Sequence, residues 1–107
     1  MGDDIETATS RGRETTVDET QVIRVRYWAA ARSAAGTAED VVDVSGPTTL
    51  ADLTAEVVRR HAGTRLPDVI AVCSVLVGDQ PVGTRDAAAV VVPPGATVEF
   101  LPPFAGG

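Results

Sequence analysis

The amino-acid sequence predicts an α+β domain in which one main helix packs on one face of a mixed sheet. Three observations carry that prediction. Alternating apolar and polar residues, the pattern of half-buried strands, occupy residues 22–28 near the start and 96–101 near the end. Between them, Leu50, Leu53, Val57, Val58 and His61 recur at the 3.6-residue spacing of one helical face. The elements then follow in the order strand, short helix, strand, helix, strand, short strand, strand, with no internal repeat and no second domain.

Residues 1–20 are polar, charged and without hydrophobic period, which predicts a disordered acidic N-terminal tail. The domain begins at residue 21. In the first strand, Ile23, Val25 and Tyr27 share one face, and Arg24, Arg26 and Trp28 share the other. The Arg24/Arg26 pair marks either a docking face or a solvated strand face. Residues 29–35 are rich in Ala and stop at Gly36, as expected of two helical turns with a Gly cap. Residues 39–44 read as a second strand, ended by Ser45-Gly46-Pro47. Thr49 followed by Asp52 resembles a helix-starting box and predicts a helix running to about His61. Arg59 and Arg60 sit near its C-terminal end, where the helix dipole favours cations. Residues 69–77 form the most apolar run, and their β-branching predicts a strand buried on much of both faces. Gly78-Asp79-Gln80 predicts a hairpin loop into a short strand near 81–84. Residues 88–92 are apolar and end at a turn, Pro93-Pro94-Gly95. The last strand, 96–101, sets Val98 and Phe100 against Glu99 and Leu101. The domain ends at residue 101, and residues 102–107 are expected to be a flexible tail.

A chain of 107 residues, 44% apolar, fits one small domain. The formal charge of −6 argues against nucleic acid as a partner. Residues 1–20 hold most of the imbalance, with Asp3, Asp4, Glu6, Glu14, Asp18 and Glu19 against Arg11 and Arg13. All nine basic residues are Arg, so no side-chain amine exists for isopeptide formation. With one cysteine, Cys73, a disulfide framework and a Cys-based metal cluster are both excluded. No signal peptide or membrane-length apolar run is seen, and a cytoplasmic protein with no membrane contact is expected.

Enzyme signatures are missing. His61, the only histidine, lies on an apolar helix face and reads as structural. Cys73 falls inside the apolar run, where a thiol behaves as a small hydrophobe. No Ser-His-Asp set, metal-ligand cluster or phosphate-binding Gly loop can be assembled. No bound cofactor is expected.

The remaining feature is the ending, Leu101-Pro102-Pro103-Phe104-Ala105-Gly106-Gly107. The Pro pair locks φ and supplies no backbone N–H, so the tail can neither extend a helix nor add to a central sheet. Two Gly leave the α-carboxylate on a slim tip that can enter a narrow channel. From Pro102 to the end the tail reaches at most about 20 Å. It is either a frayed terminus or a carboxyl group presented to another protein. A carboxylate is inert to nucleophiles, but attack on the α-phosphate of ATP gives an acyl-adenylate. A sulfur nucleophile can displace AMP from it and leave a thiocarboxylate. The chain has no ATP site, so a partner must perform the activation and shield the tip from water.

From about Val22 to Gly107 the chain resembles the MoaD/ThiS family of ubiquitin-like sulfur carriers. The resemblance rests on the opening strand and short helix to Gly36, on Pro47-Thr48-Thr49-Leu50, and above all on the segment from Pro94 to the Gly-Gly end. It implies a β-grasp fold with the first and last strands central and parallel. It implies adenylation by an enzyme of the ubiquitin-activating type, which uses ATP, and conversion to a thiocarboxylate. The Pro pair looks most like the small subunit of molybdopterin synthase, whose tail inserts into the large subunit and supplies sulfur for molybdopterin. On that resemblance Gly107 carries the sulfur, Gly106 and Ala105 thread the tail, and Phe104, Pro103, Pro102 and Leu101 dock on the partner. Two departures stand out: the acidic segment 1–20, and the Ala/Val-rich stretch Thr84–Val92. Other readings are a sulfur carrier for thiazole or cysteine biosynthesis, a ubiquitin-like protein modifier, and an interaction domain whose tail is idle.

Overall fold

The computed structural model describes residues 21–103; the expectations for residues 1–20 and for Phe104, Ala105, Gly106 and Gly107 lie outside the described residues. Strand β1 (Val22–Tyr27) forms where the sequence alternates, and Ile23, Val25 and Tyr27 are all buried. Helix α1 (Ala29–Ala35) follows at once and ends at Gly36, whose φ of 75° is left-handed and whose N–H donates to the Arg32 carbonyl. Strand β2 (Glu39–Asp43) returns antiparallel to β1, pairing Ile23 with Val42 and Val25 with Asp40.

A two-residue strand β3 (Thr48–Thr49) leads into α2 (Leu50–Arg60). The predicted start is observed: Thr49 Oγ1 accepts the Asp52 backbone N–H at 3.1 Å, satisfying one of the free donors of the first turn. Leu50, Leu53 and Val57 are the buried stripe of α2, and they meet the sheet residues Ile23, Val25, Tyr27, Val98 and Phe100 in one core. Each of these large apolar side chains contributes about 1.5–3 kcal/mol by leaving water.

The apolar run Val69–Val77 is not one strand. Its first part lies in α3 (Leu66–Ile70), and only β4 (Ser74–Val77) is extended. Pro67 occupies the first turn of α3, where its fixed φ suits a helix and its missing N–H costs nothing. Leu66 and Ile70, four residues apart, bury one face, and α3 packs against α1. That burial overrides the β preference of Val69 and Ile70. Cys73 consequently lies in the turn between α3 and β4 rather than inside a strand.

Gly78 and Asp79 turn the chain into β5 (Gln80–Pro81), shorter and earlier than the strand expected near 81–84. A 3-10 turn (Ala87–Ala89) and strand β6 (Val91–Val92) then follow, where the sequence had suggested only an apolar stretch. β6 pairs antiparallel with β3 in a separate two-stranded sheet. The final strand β7 (Thr97–Leu101) enters the centre of the main sheet, whose order is β2-β1-β7-β4-β5. β7 is parallel to β1, with Val25 opposite Val98 and Tyr27 opposite Phe100, and antiparallel to β4. This is the β-grasp arrangement, with the first and last strands side by side.

Candidate functional site

β7 delivers the chain to the candidate site. Leu101 is its last residue and pairs with Ser74 of β4, while on the other side the Trp28 backbone N–H donates to the Phe100 carbonyl at 3.2 Å. Pro102 and Pro103 come next. Without N–H groups they cannot extend the ladder, so the chain leaves the sheet between its two neighbours. Leu101 and Pro102 are half-buried and Pro103 is exposed. The structure thus brings together three of the residues singled out in the sequence, Leu101, Pro102 and Pro103. Phe104, Ala105, Gly106 and Gly107 lie outside the described residues.

Two apolar residues flank the stem. Trp28 is 42% exposed, and its indole N–H donates to Glu99 Oε1 at 2.8 Å. The Arg26 guanidinium lies over the same ring, 5.4 Å from its centroid. On the helical side, Pro102 and Pro103 border a hollow of about 320 Å³ that is shared by Ala30 of α1 and by Arg65, Asp68, Val69 and Val72 around α3. Val72 is 63% exposed. Val72 carried no signal of its own, because the run containing it reads as a buried strand. Trp28 was visible as an aromatic on the polar face of β1, which is a usable signal. On that same face Arg24 pairs with Glu39 at 2.9 Å.

The other cluster of titratable groups is structural in its geometry. The Tyr27 hydroxyl donates to Asp40 Oδ2 at 2.7 Å, and His61 Nε2 lies 2.6 Å from the same oxygen. His61 caps the C-terminus of α2 and meets the Tyr27 ring edge-on at 5.8 Å. Burial alone raises the Asp40 carboxyl, but the hydrogen bonds from His61 and Tyr27 and the nearby positive charge outweigh it and hold the group below its ordinary range. Burial, reinforced by Asp40, pushes the Tyr27 phenol far above its usual value. The three residues tie β1, β2 and the end of α2 together. Burial also raises the Cys73 thiol, whose Sγ donates to the Val69 carbonyl at 3.3 Å. A thiol in that state is a poor nucleophile. Among the described residues no group of three or more His, Cys, Asp or Glu is placed to hold a metal ion, and no helix is long and apolar enough to cross a membrane.

Comparison with solved structures returns the same architecture. SAMP1 from Haloferax volcanii superposes with a TM-score of 0.66 at 22% identity, covering 80% of this chain and 99% of that one. Urm1 from Trypanosoma brucei gives 0.64 at 22% identity, covering 81% and 96%. A chain in the complex of subunits 1 and 2 of the molybdopterin-converting factor from Helicobacter pylori gives 0.56 at 20% identity, covering 80% and 99%. At these identities the likeness establishes the fold. No curated protein matches the sequence significantly. The profile of the ThiS family matches residues 25–107, from the middle of β1 through the Gly-Gly end. The chain therefore belongs to the ThiS family of ubiquitin-like sulfur carriers.

Proposed function

We propose that this carrier serves molybdopterin biosynthesis, holding sulfur as a thiocarboxylate on Gly107. The reading is supported by one observation above the rest: the central strand β7 runs straight into the Pro102-Pro103 stem that precedes Ala105-Gly106-Gly107. A partner of the ubiquitin-activating type binds the ATP. The Gly107 carboxylate attacks the α-phosphate, pyrophosphate leaves, and an acyl-adenylate forms. A sulfur nucleophile held by the activating system then displaces AMP. The loaded tail next enters a synthase large subunit, where the sulfur passes to a pterin precursor. Gly106 and Ala105 thread the tail, and Leu101, Pro102, Pro103 and Phe104 dock beside Trp28. The work is cytoplasmic, and the chain itself binds no cofactor. Its contribution is position: a rigid sheet aims a slim carboxylate that another protein activates.

A second reading is favoured by the structural likeness to SAMP1, described as a small archaeal modifier protein. In it the same activated Gly107 is joined to amines on other proteins. Intact-mass spectrometry after incubation with ATP, a sulfur source and the cognate activating enzyme tests the first. An oxygen-to-sulfur mass change mapped to the last peptide, together with co-purification of a pterin-binding large subunit, is the expected result. Conjugates of higher mass that resist thiol reductants, with no thiocarboxylate, would replace the carrier reading by the modifier one. A thiazole-forming or cysteine-synthase-like partner would keep the chemistry and move the pathway.

A further inference from the structure

Strands β2 and β5 are the two edges of the main sheet. β5 is two residues long and ends in Pro81, which has no N–H to offer a further strand. β2 is five residues long, and at its middle Val41 is 42% exposed. The register decides which backbone groups of β2 face outward. The Tyr27 N–H donates to the Ala38 carbonyl at one end of the β1–β2 ladder, and the Val44 N–H donates to the Gln21 carbonyl at the other. Hydrogen-bonded and open pairs alternate in an antiparallel ladder. Asp40 and Val42 therefore turn their N–H and C=O groups toward β1, and Glu39, Val41 and Asp43 turn theirs away from the sheet. Such a row is a template for another strand.

Side chains of the same protein already hold two of those three outward carbonyls. Arg60 Nη1 donates to the Val41 carbonyl at 3.0 Å, and Thr37 Oγ1 donates to the Glu39 carbonyl at 3.1 Å. Arg60 is aimed by its neighbours. Its Nε donates to Glu56 Oε2 at 2.9 Å, one turn back along α2. The next residue, His61, lies 2.6 Å from Asp40 Oδ2 and keeps the end of α2 against β2. A guanidinium on the middle carbonyl of an edge strand stands where a pairing strand would have to lie. We propose that Arg60 is a plug on the β2 edge that stops a second copy of this chain from pairing there.

The second copy is the occupant that the edge fits. Centred on Val41, two β2 strands related by a two-fold axis would exchange both N–H···O bonds between their Val41 residues. In that register Glu39 faces Asp43 of the second copy, a repulsion that salt screens. Arg60 is thus the short-range barrier and the carboxylates are the longer-range one. With β2 plugged and β5 ended by proline, neither edge of the main sheet accepts a strand.

Sedimentation and amide hydrogen exchange on the full chain, in about 0.5 M salt to screen the carboxylates, test the plug. The unsubstituted chain should stay monomeric. Arg60→Ala should dimerise with a Kd on the order of 1 mM, slowing exchange of the Val41 amide about twofold at that protein concentration. Adding Val41→Pro to Arg60→Ala should restore the monomer, because the N–H it removes points away from β1. Glu56→Gln, which loosens the anchor of Arg60, should act in the same direction more weakly. Arg59→Ala removes the same charge from the same carboxylate without touching β2, and should change nothing. An Arg60→Ala chain that stays monomeric, or an unsubstituted chain already paired through Val41, would overturn the proposal. So would equal dimerisation of Arg59→Ala, or a dimer that protects the open sheet face and leaves the Val41 amide exchanging as before.

Discussion

The Trp28 indole N–H donates to the Glu99 carboxylate at 2.8 Å, joining residues 71 positions apart. The bond ties the residue that follows β1 to β7, three residues before the stem begins at Pro102. Arg26 caps the ring from above, so an exposed aromatic is held in one place beside Leu101. Both partners contact water, which keeps the energetic effect small. A double-mutant cycle with Trp28→Ala and Glu99→Ala should give a coupling of about 0.5–1 kcal/mol in urea denaturation. A coupling near zero would mean that solvent has replaced the bond.

Asp40 predicts an acid-sensitive fold. Its carboxyl ionises below the ordinary range in the folded state because His61 and Tyr27 hydrogen-bond the charged form. The unfolded chain therefore binds a proton more readily than the folded one. The resulting stabilisation is complete above the unfolded pKa and is lost as pH falls through the folded one, the window beginning at about pH 4. Asp40→Asn should lower stability at pH 7 by about 1–2 kcal/mol and flatten the decline below that window. Urea titrations at stepped pH make the comparison; parallel curves for the two proteins would remove Asp40 as the cause.

Gly36 is constrained by its backbone alone. Its φ is 75°, it closes α1, and an added Cβ would meet nothing within 4 Å. Gly36→Ala should therefore cost about 1 kcal/mol through strain, with no clash to relieve. A thermal melt reads this directly. A much larger loss would require a steric contact that the open surroundings do not contain.

Much of this architecture could be read from the residues. The strand β1 and the helix α2 were legible because each repeats at its own period, and Thr49 with Asp52 marked where the helix begins. The stem was legible because two adjacent prolines cannot belong to a central strand. Val69–Val77 misled because β-branched residues dominate it, while the deciding interaction, Leu66 and Ile70 packed against α1, is tertiary. Pro67-Asp68 was the local sign of a helix start in that stretch. The pairing of Thr48–Thr49 with Val91–Val92 was illegible for a different reason: two residues are too few to show a period. The hollow beside the stem depends on where α3 sits, so it could not be seen before α3 was.

Leu101 separates docking from folding most cleanly. It lies on β7 at the parity of Glu99, opposite the core residues Val98 and Phe100, and pairs with the exposed Ser74. Truncating Phe100, which stacks 6.3 Å from Tyr27 within the core, should cost about 3–5 kcal/mol. Leu101→Asp removes only partial burial from the open face, so its cost to stability should be about 1 kcal/mol or less. If the stem docks on a partner as proposed, the same substitution places a charge in the buried centre of that interface. Affinity for the activating enzyme should then fall by about thirtyfold, corresponding to about 2 kcal/mol. Val91→Asp is the control, because Val91 is 61% exposed on the separate two-stranded sheet. It adds the same charge and should leave affinity unchanged. Equal losses from both substitutions would point to net charge rather than to the stem, and no loss from Leu101→Asp would place the docking surface elsewhere.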